Sequence, residues 1–512
     1  AATLATVLLL VWLLPTSPLP ADRERRRAEE APQAMPSHPQ PVVAKTAKST
    51  ARQDKAFSVK GAGSRYYSDE WSITRNLEAC VQSQHELMTV PVAWPGFHAM
   101  CIDQVDHGAI RVLLHKKSGG KGDSGTRELD VQVDSGLARA LLDALISELQ
   151  KELQTTEFVR TLDPLISTSD YEFRPNPWKL FSAAGGPVES DADLEYLGQG
   201  AAVYLYTGGQ FIWPGVRIGH LTSVPIPVTD GSPGNHKVVE MKTVSLRPLV
   251  FVLNGFLTDA ECDFIKGWAN KRMEPSKLAT MDSTVSEVDV RTSTQTFMTR
   301  GGTAQIKALE ERAHNLTRLP YELGENIQVV RYMEGQKYGA HRDFFNPNDY
   351  HRQPAMLRSV EFGGRNRLAT VFWYLHTVQD GGETFFPRAL NEAGEEYHPW
   401  NGDHEDCYRG LAVPPVRGNA VLFYSMVPDG RLDERSLHGG CKPRGSSSEK
   451  WGANQWIWNH PQRMGYADAA PARRGAIRPR PGRAGCADTD GNCEAWAEGG
   501  ECDRNQAYMN SH

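Results

Sequence analysis

The stretch IQVVRYMEGQKYGAHRD, residues 327–343, decides the fold because it joins two β-type runs and ends in a candidate metal pair. Its first run is rich in β-branched and aromatic residues, and a Gly-containing turn follows it. Side chains two residues apart on a strand point to the same face of the sheet. The spacing of His341 and Asp343 therefore predicts that both side chains reach one metal ion from a single strand.

A third ligand has to come from elsewhere, and His438 in SLHGG (436–440) is the best candidate, close before another β-type run. Two histidines and one carboxylate occupy one face of an octahedral iron ion and leave three positions for a bidentate co-substrate and dioxygen. Lys450 follows twelve residues after His438. Its cation is predicted to pair with the far carboxylate of the co-substrate in a mostly apolar pocket.

The same His-x-Asp spacing occurs a second time, at His404 and Asp406. This pair lies in the polar, loop-like sequence NGDHEDCYRG, which has no β-type run before it. Strand alternation therefore gives no reason for the two side chains to converge, and we predict that they do not bind the metal. His351 and His376 are predicted to be surface or structural residues.

The order of elements in residues 245–460 predicts a mixed α+β catalytic domain. Residues 250–253 (VFVL) are typical of a short buried strand, and Thr258 with Glu261 has the spacing of a capping box that begins a helix. A second helix is predicted over residues 304–315. Four β-type runs follow, at residues 327–332, 369–375, 419–424 and 454–458. Helices followed by many strands favour a β-sandwich or jelly roll with helices packed on one side.

Residues 65–230 form a separate predicted unit, an N-terminal α/β region. Apolar residues at helical spacing predict a helix over residues 137–153, and residues 201–206 (AAVYLY) predict a strand. The following sequence, GGQFIWPGVRIGHL (208–221), is interpreted as further strands with turns. The region contains no catalytic constellation, so we expect it to serve binding or assembly.

The remaining segments are predicted from composition. Residues 1–21 begin with an apolar run that is shorter than the roughly 20 residues needed to span a bilayer. We interpret them as a signal peptide, with a membrane anchor as the alternative. Residues 22–64 and the Arg/Pro-rich residues 461–485 are interpreted as linkers. Residues 486–512 form a small Cys-containing tail.

Composition narrows the function classes. Hydrophobic residues make up 40% and charged residues 23% of the 512 residues, which is ordinary for a folded protein. The net charge of −6 predicts no nucleic-acid partner, since such partners favour a strongly basic face. Eight cysteines suit disulfides in a secretory compartment, although their pairing does not follow from the sequence.

About 210 residues, from Leu249 to Trp458, resemble the prolyl 4-hydroxylase family. The resemblance is specific because several independent blocks occur in the family's order. These blocks are FLTDAEC (256–262), RTS (291–293), IQVVRYMEGQKYGAHRDFF (327–345), RLATVFWYL (367–375), GGETFFP (381–387), GLAVPPVRGNAVLFYS (410–425), SLHGGC (436–441) and KWGANQWI (450–457).

The resemblance implies a double-stranded β-helix (jelly roll) and a role for each matching residue. It implies iron(II) ligation by His341, Asp343 and His438, and binding of the 5-carboxylate of 2-oxoglutarate by Lys450. Four further positions match family residues in or beside the site. Tyr332 and Thr370 match residues that hydrogen-bond 2-oxoglutarate, and Tyr338 and Trp456 match residues that line the peptide groove. The alternatives are ordinary half-buried strand positions for the first pair and core packing for the second.

The reaction implied by the resemblance is procollagen-type peptidyl-proline 4-hydroxylation. It uses iron(II), dioxygen and 2-oxoglutarate, releases succinate and carbon dioxide, and relies on ascorbate as the rescue reductant. A proline-containing polypeptide would be the substrate, in the endoplasmic reticulum or later secretory pathway. The alternatives are the same chemistry on a lysyl or small-molecule substrate, or a non-catalytic binding scaffold.

Two features within the matching region depart from the family pattern. The insert KPRGSSSE (442–449) lengthens the spacing from His438 to Lys450 by a residue or two, and Trp458 stands where related enzymes often carry His. The tail at residues 486–512 is similar to the beginning of a ShK toxin-type domain and holds three of the six cysteines normal for that module. The insert either displaces Lys450, which would weaken 2-oxoglutarate binding, or bulges outward and leaves the lysine in place. Trp458 leaves the peptide specificity open.

Overall fold

The computed structural model describes residues 76–88, 94–115, 126–153, 177–227, 236–276, 292–350, 354–361, 364–399, 407, 409–445 and 448–461. The predictions for the leader or anchor, the first linker, the second linker after residue 461 and the ShK-like tail lie outside these ranges. The same holds for His351 and for the pair His404 and Asp406.

The described residues contain six α-helices and eighteen β-strands. The helices are α1 (Leu77–Met88), α2 (Leu137–Leu153), α3 (Asp191–Leu197), α4 (Asp259–Asn270), α5 (Ala304–Thr317) and α6 (Pro354–Ser359). The first nine strands are β1 (Phe97–Asp106), β2 (Ala109–His115), β3 (Thr126–Gln132), β4 (Lys179–Ser182), β5 (Ala202–Tyr206), β6 (Leu221–Pro227), β7 (His236–Leu246), β8 (Leu249–Leu253) and β9 (Glu274–Pro275). The other nine are β10 (Thr294–Met298), β11 (Ile327–Met333), β12 (Tyr338–His341), β13 (Arg367–Tyr374), β14 (Thr384–Phe386), β15 (Leu411–Val413), β16 (Ala420–Tyr424), β17 (His438–Gly440) and β18 (Glu449–Trp458).

The N-terminal region is built on an antiparallel five-stranded sheet with the order β3-β2-β1-β5-β4. Helices α2 and α3 share an apolar core with one side of this sheet, where Leu141 and Val203 are fully buried. Residues that alternate with these, such as Phe97 and Tyr206, join the core of the catalytic region instead. The disulfide Cys80–Cys101 ties α1 to β1.

The predictions for this region are partly confirmed. The helix over residues 137–153 and a strand ending at residue 206 are both present. The prediction of strands within residues 208–220 is wrong, since that segment is irregular although Phe211, Ile212 and Trp213 are buried. Its backbone groups bond outside any ladder, for example Trp213 N–H to the Tyr424 hydroxyl at 3.2 Å. Its apolar composition is typical of a strand, but Pro214 cannot donate a ladder hydrogen bond and the glycines of the segment disfavour regular strand pairing.

The catalytic region is the expected mixed α+β jelly roll. A nine-stranded sheet, β6-β7-β8-β16-β13-β18-β11-β10-β9, faces a four-stranded sheet, β12-β17-β14-β15. Residues of both sheets, including Val330, Phe372 and Phe386, form one buried cluster between them. Helices α4 and α5 pack their apolar sides into the core on the larger sheet's other side. Thr258 and Glu261 form the predicted capping box of α4.

The strands β6 and β7 extend the large sheet beyond β8. They form an antiparallel hairpin, and β7 pairs with β8. This hairpin spans the expected border between the N-terminal region and the catalytic region. The nine-stranded sheet of the catalytic region therefore includes β6 and most of β7, which precede the predicted start of that region at residue 245.

Candidate metal centre and co-substrate pocket

The three candidate ligands meet at one end of the four-stranded sheet. His341 ends β12, His438 begins β17, and the two residues face each other across the ladder. His341 Nε2 lies 3.8 Å from Asp343 Oδ1, and His438 Nε2 lies 3.6 Å from Asp343 Oδ2. Within the described ranges, only these three residues form a group of His, Cys, Asp or Glu donor atoms close enough to share one metal ion.

Asp343 is positioned differently from the prediction. Strand β12 ends at His341, so the carboxylate lies two residues beyond the strand and alternation alone does not aim it. Two long-range donors hold it instead: Thr370 Oγ1 donates to Asp343 Oδ2 at 2.8 Å, and Arg367 Nη1 donates to the Asp343 carbonyl at 3.2 Å. The pair converges as predicted, but strand β13 supplies the constraint.

Both imidazoles are oriented by backbone carbonyls. His341 Nδ1 lies 2.9 Å from Gly339 O, and His438 Nδ1 lies 2.9 Å from Ser436 O. A carbonyl accepts but does not donate, so each Nδ1 carries the proton and each Nε2 presents its lone pair toward Asp343. This outer hydrogen bond is the usual way in which proteins fix a metal-binding histidine.

The charge state of Asp343 completes the donor set. Its burial would raise the pKa of the carboxyl group. Electrostatic interactions with His438, His341 and Arg367, together with the Thr370 hydrogen bond, outweigh burial and lower the pKa below its ordinary value. Two neutral imidazoles and one carboxylate are a donor set that fits iron(II) with coordination positions left open.

Aromatic rings enclose the site. The Tyr338 ring stacks on His341 with centroids 3.6 Å apart and planes 18° apart. Two phenylalanine rings pack against the His438 ring, with centroid distances of 4.5 Å for Phe423 and 5.7 Å for Phe386. These contacts restrict both imidazoles and exclude water from one side of the candidate centre.

Lys450 provides a buried cation suited to a carboxylate. It is 1% exposed and is the direct cross-strand partner of Tyr332 in the β11–β18 ladder, so the insert before it does not take it out of the sheet. Its Nζ lies 5.3 Å from the Phe372 ring centroid, 5.6 Å from that of Tyr332 and 5.8 Å from that of Tyr374. Among the residues that the structure describes, none forms a hydrogen bond or ion pair with Nζ.

The environment of Lys450 disfavours its charge. Burial lowers the pKa of the amine to about 7, although the nearby Glu383 carboxylate opposes the shift. A buried ammonium group is costly without an anion to pair with it. The pocket therefore fits the far carboxylate of a small dicarboxylate such as 2-oxoglutarate.

The other predicted site residues lie around this centre. Tyr332 is buried beside Lys450. The Thr370 hydroxyl donates its hydrogen bond to Asp343 and not to a co-substrate. Tyr338 is half-buried against His341. The predicted roles of Tyr332, Thr370 and Tyr338 toward co-substrate and peptide stay predictions.

Trp456 belongs to a network that the sequence did not reveal. Its side chain is 7% exposed, and the Arg367 guanidinium carbon lies 3.8 Å from the centroid of the Trp456 ring. Arg367 Nη2 donates to Glu325 Oε2 at 2.8 Å, and Trp458 Nε1 donates to the same carboxylate. The RLAT block contained the arginine, but Glu325 lies 42 residues away in sequence. Only a tertiary contact joins them, so no local pattern predicts the network.

Two further observations concern residues outside the centre. His376 is half-buried, and burial lowers its pKa, in line with the predicted structural role. None of the helices in the described ranges is long and apolar enough to cross a membrane.

Comparison with known proteins agrees with this geometry. Residues 327–458 match the 2OG-Fe(II) oxygenase superfamily. Prolyl 4-hydroxylase 2 of Arabidopsis thaliana is 39% identical over 272 residues, which cover 53% of this chain and 82% of that protein. Probable prolyl 4-hydroxylase 4 of the same plant is 38% identical over 272 residues, covering 53% and 83%.

Among solved structures, the viral collagen prolyl hydroxylase of Paramecium Bursaria Chlorella virus-1 is 25% identical. The match covers 41% of this chain and 95% of the viral chain, with a TM-score of 0.29. The assignment depends on the sequence relatives, whose identity extends over more than four fifths of their length. The chain is a dioxygenase that belongs to the prolyl 4-hydroxylase family of 2OG-Fe(II) oxygenases.

Proposed function

We propose that this enzyme hydroxylates C4 of proline in polypeptides, with iron(II) held by His341, Asp343 and His438 and 2-oxoglutarate anchored by Lys450. The observation that carries the proposal is the convergence of the three donor groups in a jelly roll that also buries a lysine which no described residue pairs. The names of the relatives support proline as the substrate residue.

Each residue has a definable task in this proposal. Gly339 O and Ser436 O hold the two Nδ1 protons so that the Nε2 atoms stay available as ligands. Thr370 keeps the Asp343 carboxylate in place. When bound, iron(II) with 2-oxoglutarate and dioxygen supplies the oxidation, and succinate and carbon dioxide are released.

The co-substrate pocket and the peptide side divide the remaining tasks. Lys450 binds the 5-carboxylate, and Tyr332 contributes its hydroxyl beside it. Tyr338 and Trp456 line the groove that receives the proline-containing polypeptide. Aromatic-lined grooves suit extended proline-rich segments, which lose little conformational entropy on binding.

Compartment and reductant belong to the same proposal. Disulfides Cys80–Cys101 and Cys407–Cys441 support an oxidising compartment, and we place the enzyme in the secretory pathway, with ascorbate as the rescue reductant. The leader or anchor at residues 1–21 would direct it there.

The decisive experiment is a peptide panel with iron(II), 2-oxoglutarate and ascorbate, read at the modified residue by tandem mass spectrometry. It compares collagen-like Pro-Pro-Gly repeats, polyproline and lysine-containing peptides, with succinate release as a second readout. Hydroxylation of proline is expected, and the preferred repeat tests the procollagen-type specificity. Modification of lysine alone would replace the substrate assignment, and no succinate release with any peptide would favour a scaffold.

Variants locate the chemistry in the chain. His341→Ala and Asp343→Ala should abolish hydroxylation, because each removes one donor from a three-donor site. His376→Ala serves as the matched control, since it removes a half-buried histidine outside the group. Full activity in either ligand variant would disprove the metal assignment.

A further inference from the structure

Glu434 joins the two segments that carry the candidate ligands. It begins a short 3-10 turn four residues before His438, and its side chain is 13% exposed. Its Oε2 accepts a hydrogen bond from Arg342 Nε at 2.7 Å, and its Oε1 accepts one from Asn346 Nδ2 at 3.0 Å. One carboxylate therefore holds residues on both sides of Asp343.

A third donor reaches the same residue from beyond strand β14. Arg388 Nη1 lies 3.1 Å from Glu434 Oε2 and 3.0 Å from the Glu434 backbone oxygen. The Arg388 side chain is 14% exposed and that of Arg342 31%. Hydrogen bonds between ionised groups are shorter and stronger than neutral ones, and partial burial reduces their screening.

The backbone ladder that joins the two histidine segments directly is short and irregular, although β17 also pairs with β14 on its other side. Strands β12 and β17 pair at Tyr338 with Gly440 and at His341 with His438, and the register is irregular between these positions. The carbonyl of Ser436 that orients His438 lies in the 3-10 turn that Glu434 begins. A shift of this turn would therefore move the second histidine relative to the first.

We propose that Glu434 is a positioning residue, a carboxylate clamp that sets the distance between the His341–Asp343 segment and His438. Arg342, which lies between two ligands in sequence and also pairs with Asp349, is the partner that links it to them. The inference depends on the proposed function, because it assumes that the three ligands bind one metal ion. It adds a residue that contacts neither metal nor substrate but determines how tightly the metal is held.

Titration of the full chain with cobalt(II), whose visible absorption reports coordination, tests the clamp. Glu434→Gln should weaken cobalt binding about tenfold, in the range seen when the supports of metal ligands are removed. Arg342→Met should have a similar effect. The double variant should lose no more than the larger single change, because both substitutions break the same contact.

A matched control and a graded variant separate positioning from folding. Glu261→Gln removes another partly buried carboxylate, which pairs with Arg312 between helices α4 and α5, and should leave cobalt binding unchanged. Glu434→Asp keeps the charge on a shorter side chain and should fall between wild type and Glu434→Gln. The KM for 2-oxoglutarate at saturating iron should not change, since Lys450 is anchored in β18.

Two results would overturn the clamp. One is wild-type cobalt affinity in Glu434→Gln. The other is a loss of affinity that follows the loss of thermal stability equally in all variants, Glu261→Gln included. If the wild-type chain binds no cobalt, the proposed function itself is refuted, and this outcome is distinct from normal binding in the variant.

Discussion

Replacing Lys450 with methionine should stabilise the protein while it removes the anchor for 2-oxoglutarate. The amine is 1% exposed, and burial lowers its pKa to about 7. Methionine has similar length and adapts its shape to irregular apolar surroundings. It would keep packing against the rings of Tyr332, Phe372 and Tyr374 without a charge that has to leave water.

The two pKa values of Lys450 give the sign and size of the effect. In the unfolded chain the amine holds its proton up to its ordinary pKa of 10.5, whereas in the folded chain it releases the proton near 7. The unfolded state therefore binds more protons between these values, so folding stability falls as pH drops from 10.5 to 7. Each unit of pKa difference corresponds to about 1.4 kcal/mol. The loss of folding stability caused by burying the Lys450 amine therefore approaches a maximum of about 5 kcal/mol at pH 7 and below.

Thermal unfolding followed by circular dichroism tests this prediction at about pH 7 and pH 9. Without 2-oxoglutarate, Lys450→Met should unfold at a higher temperature than wild type at pH 7, by roughly 2 °C for each kcal/mol gained. The difference should shrink at pH 9. With metal present, 2-oxoglutarate should raise the unfolding temperature of the wild type but not of the variant.

Lys307→Met is the matched control, because that lysine is 56% exposed and pairs with Glu311 on the same helix. It should change neither the pH dependence nor the response to 2-oxoglutarate. A Lys450→Met protein that is less stable than wild type at pH 7, or a difference that is equal at both pH values, would refute the reasoning. Retained 2-oxoglutarate binding would move the anchor elsewhere, with Lys442 as the next candidate.

Three further substitutions probe the surroundings of the centre. Thr370→Val removes the hydrogen bond to Asp343, worth about 1.5–3 kcal/mol for a charged partner, and should weaken cobalt(II) binding at least tenfold by titration; unchanged affinity would show that the carboxylate is held otherwise. Gly439→Ala would place a methyl group on the Phe385 ring and displace β17, so cobalt binding should weaken even where circular dichroism stays normal. Arg367→Met leaves the partly buried Glu325 carboxylate without its cation, although Trp458 still donates to it, and should lower the free energy of unfolding by about 3 kcal/mol in urea denaturation; a loss below about 1 kcal/mol would contradict this.

Local patterns predicted the elements whose causes are local. The capping box of Thr258 and Glu261 begins helix α4 as expected, since both halves of that contact lie within four residues. The β-type runs ending near Tyr332 and Tyr424 form strands, because branched and aromatic residues suit a pleated sheet that is largely buried.

The features that position the site were not predictable in the same way. Asp343 lies outside strand β12, and its carboxylate is fixed by Thr370, 27 residues away. Glu434 contacts Arg342 across 92 residues. Such contacts exist only once the sheets have stacked, so spacing along the chain carries no trace of them. The prediction for residues 208–220 was wrong for a related reason. Their apolar composition suggested strands, but their backbone groups form hydrogen bonds outside any strand ladder, as Trp213 N–H does with the Tyr424 hydroxyl.

The hairpin of β6 and β7 has a practical consequence for any attempt to isolate the catalytic region. A fragment that begins at residue 245 would lack almost all of this hairpin and leave β8 as an open sheet edge, which invites intermolecular pairing. It would also lose Trp213, whose backbone N–H donates to the buried Tyr424 and whose indole N–H donates to Leu316 O at 2.7 Å. We predict that such a fragment would aggregate before its catalysis could be measured, so the catalytic region should be expressed together with the N-terminal region.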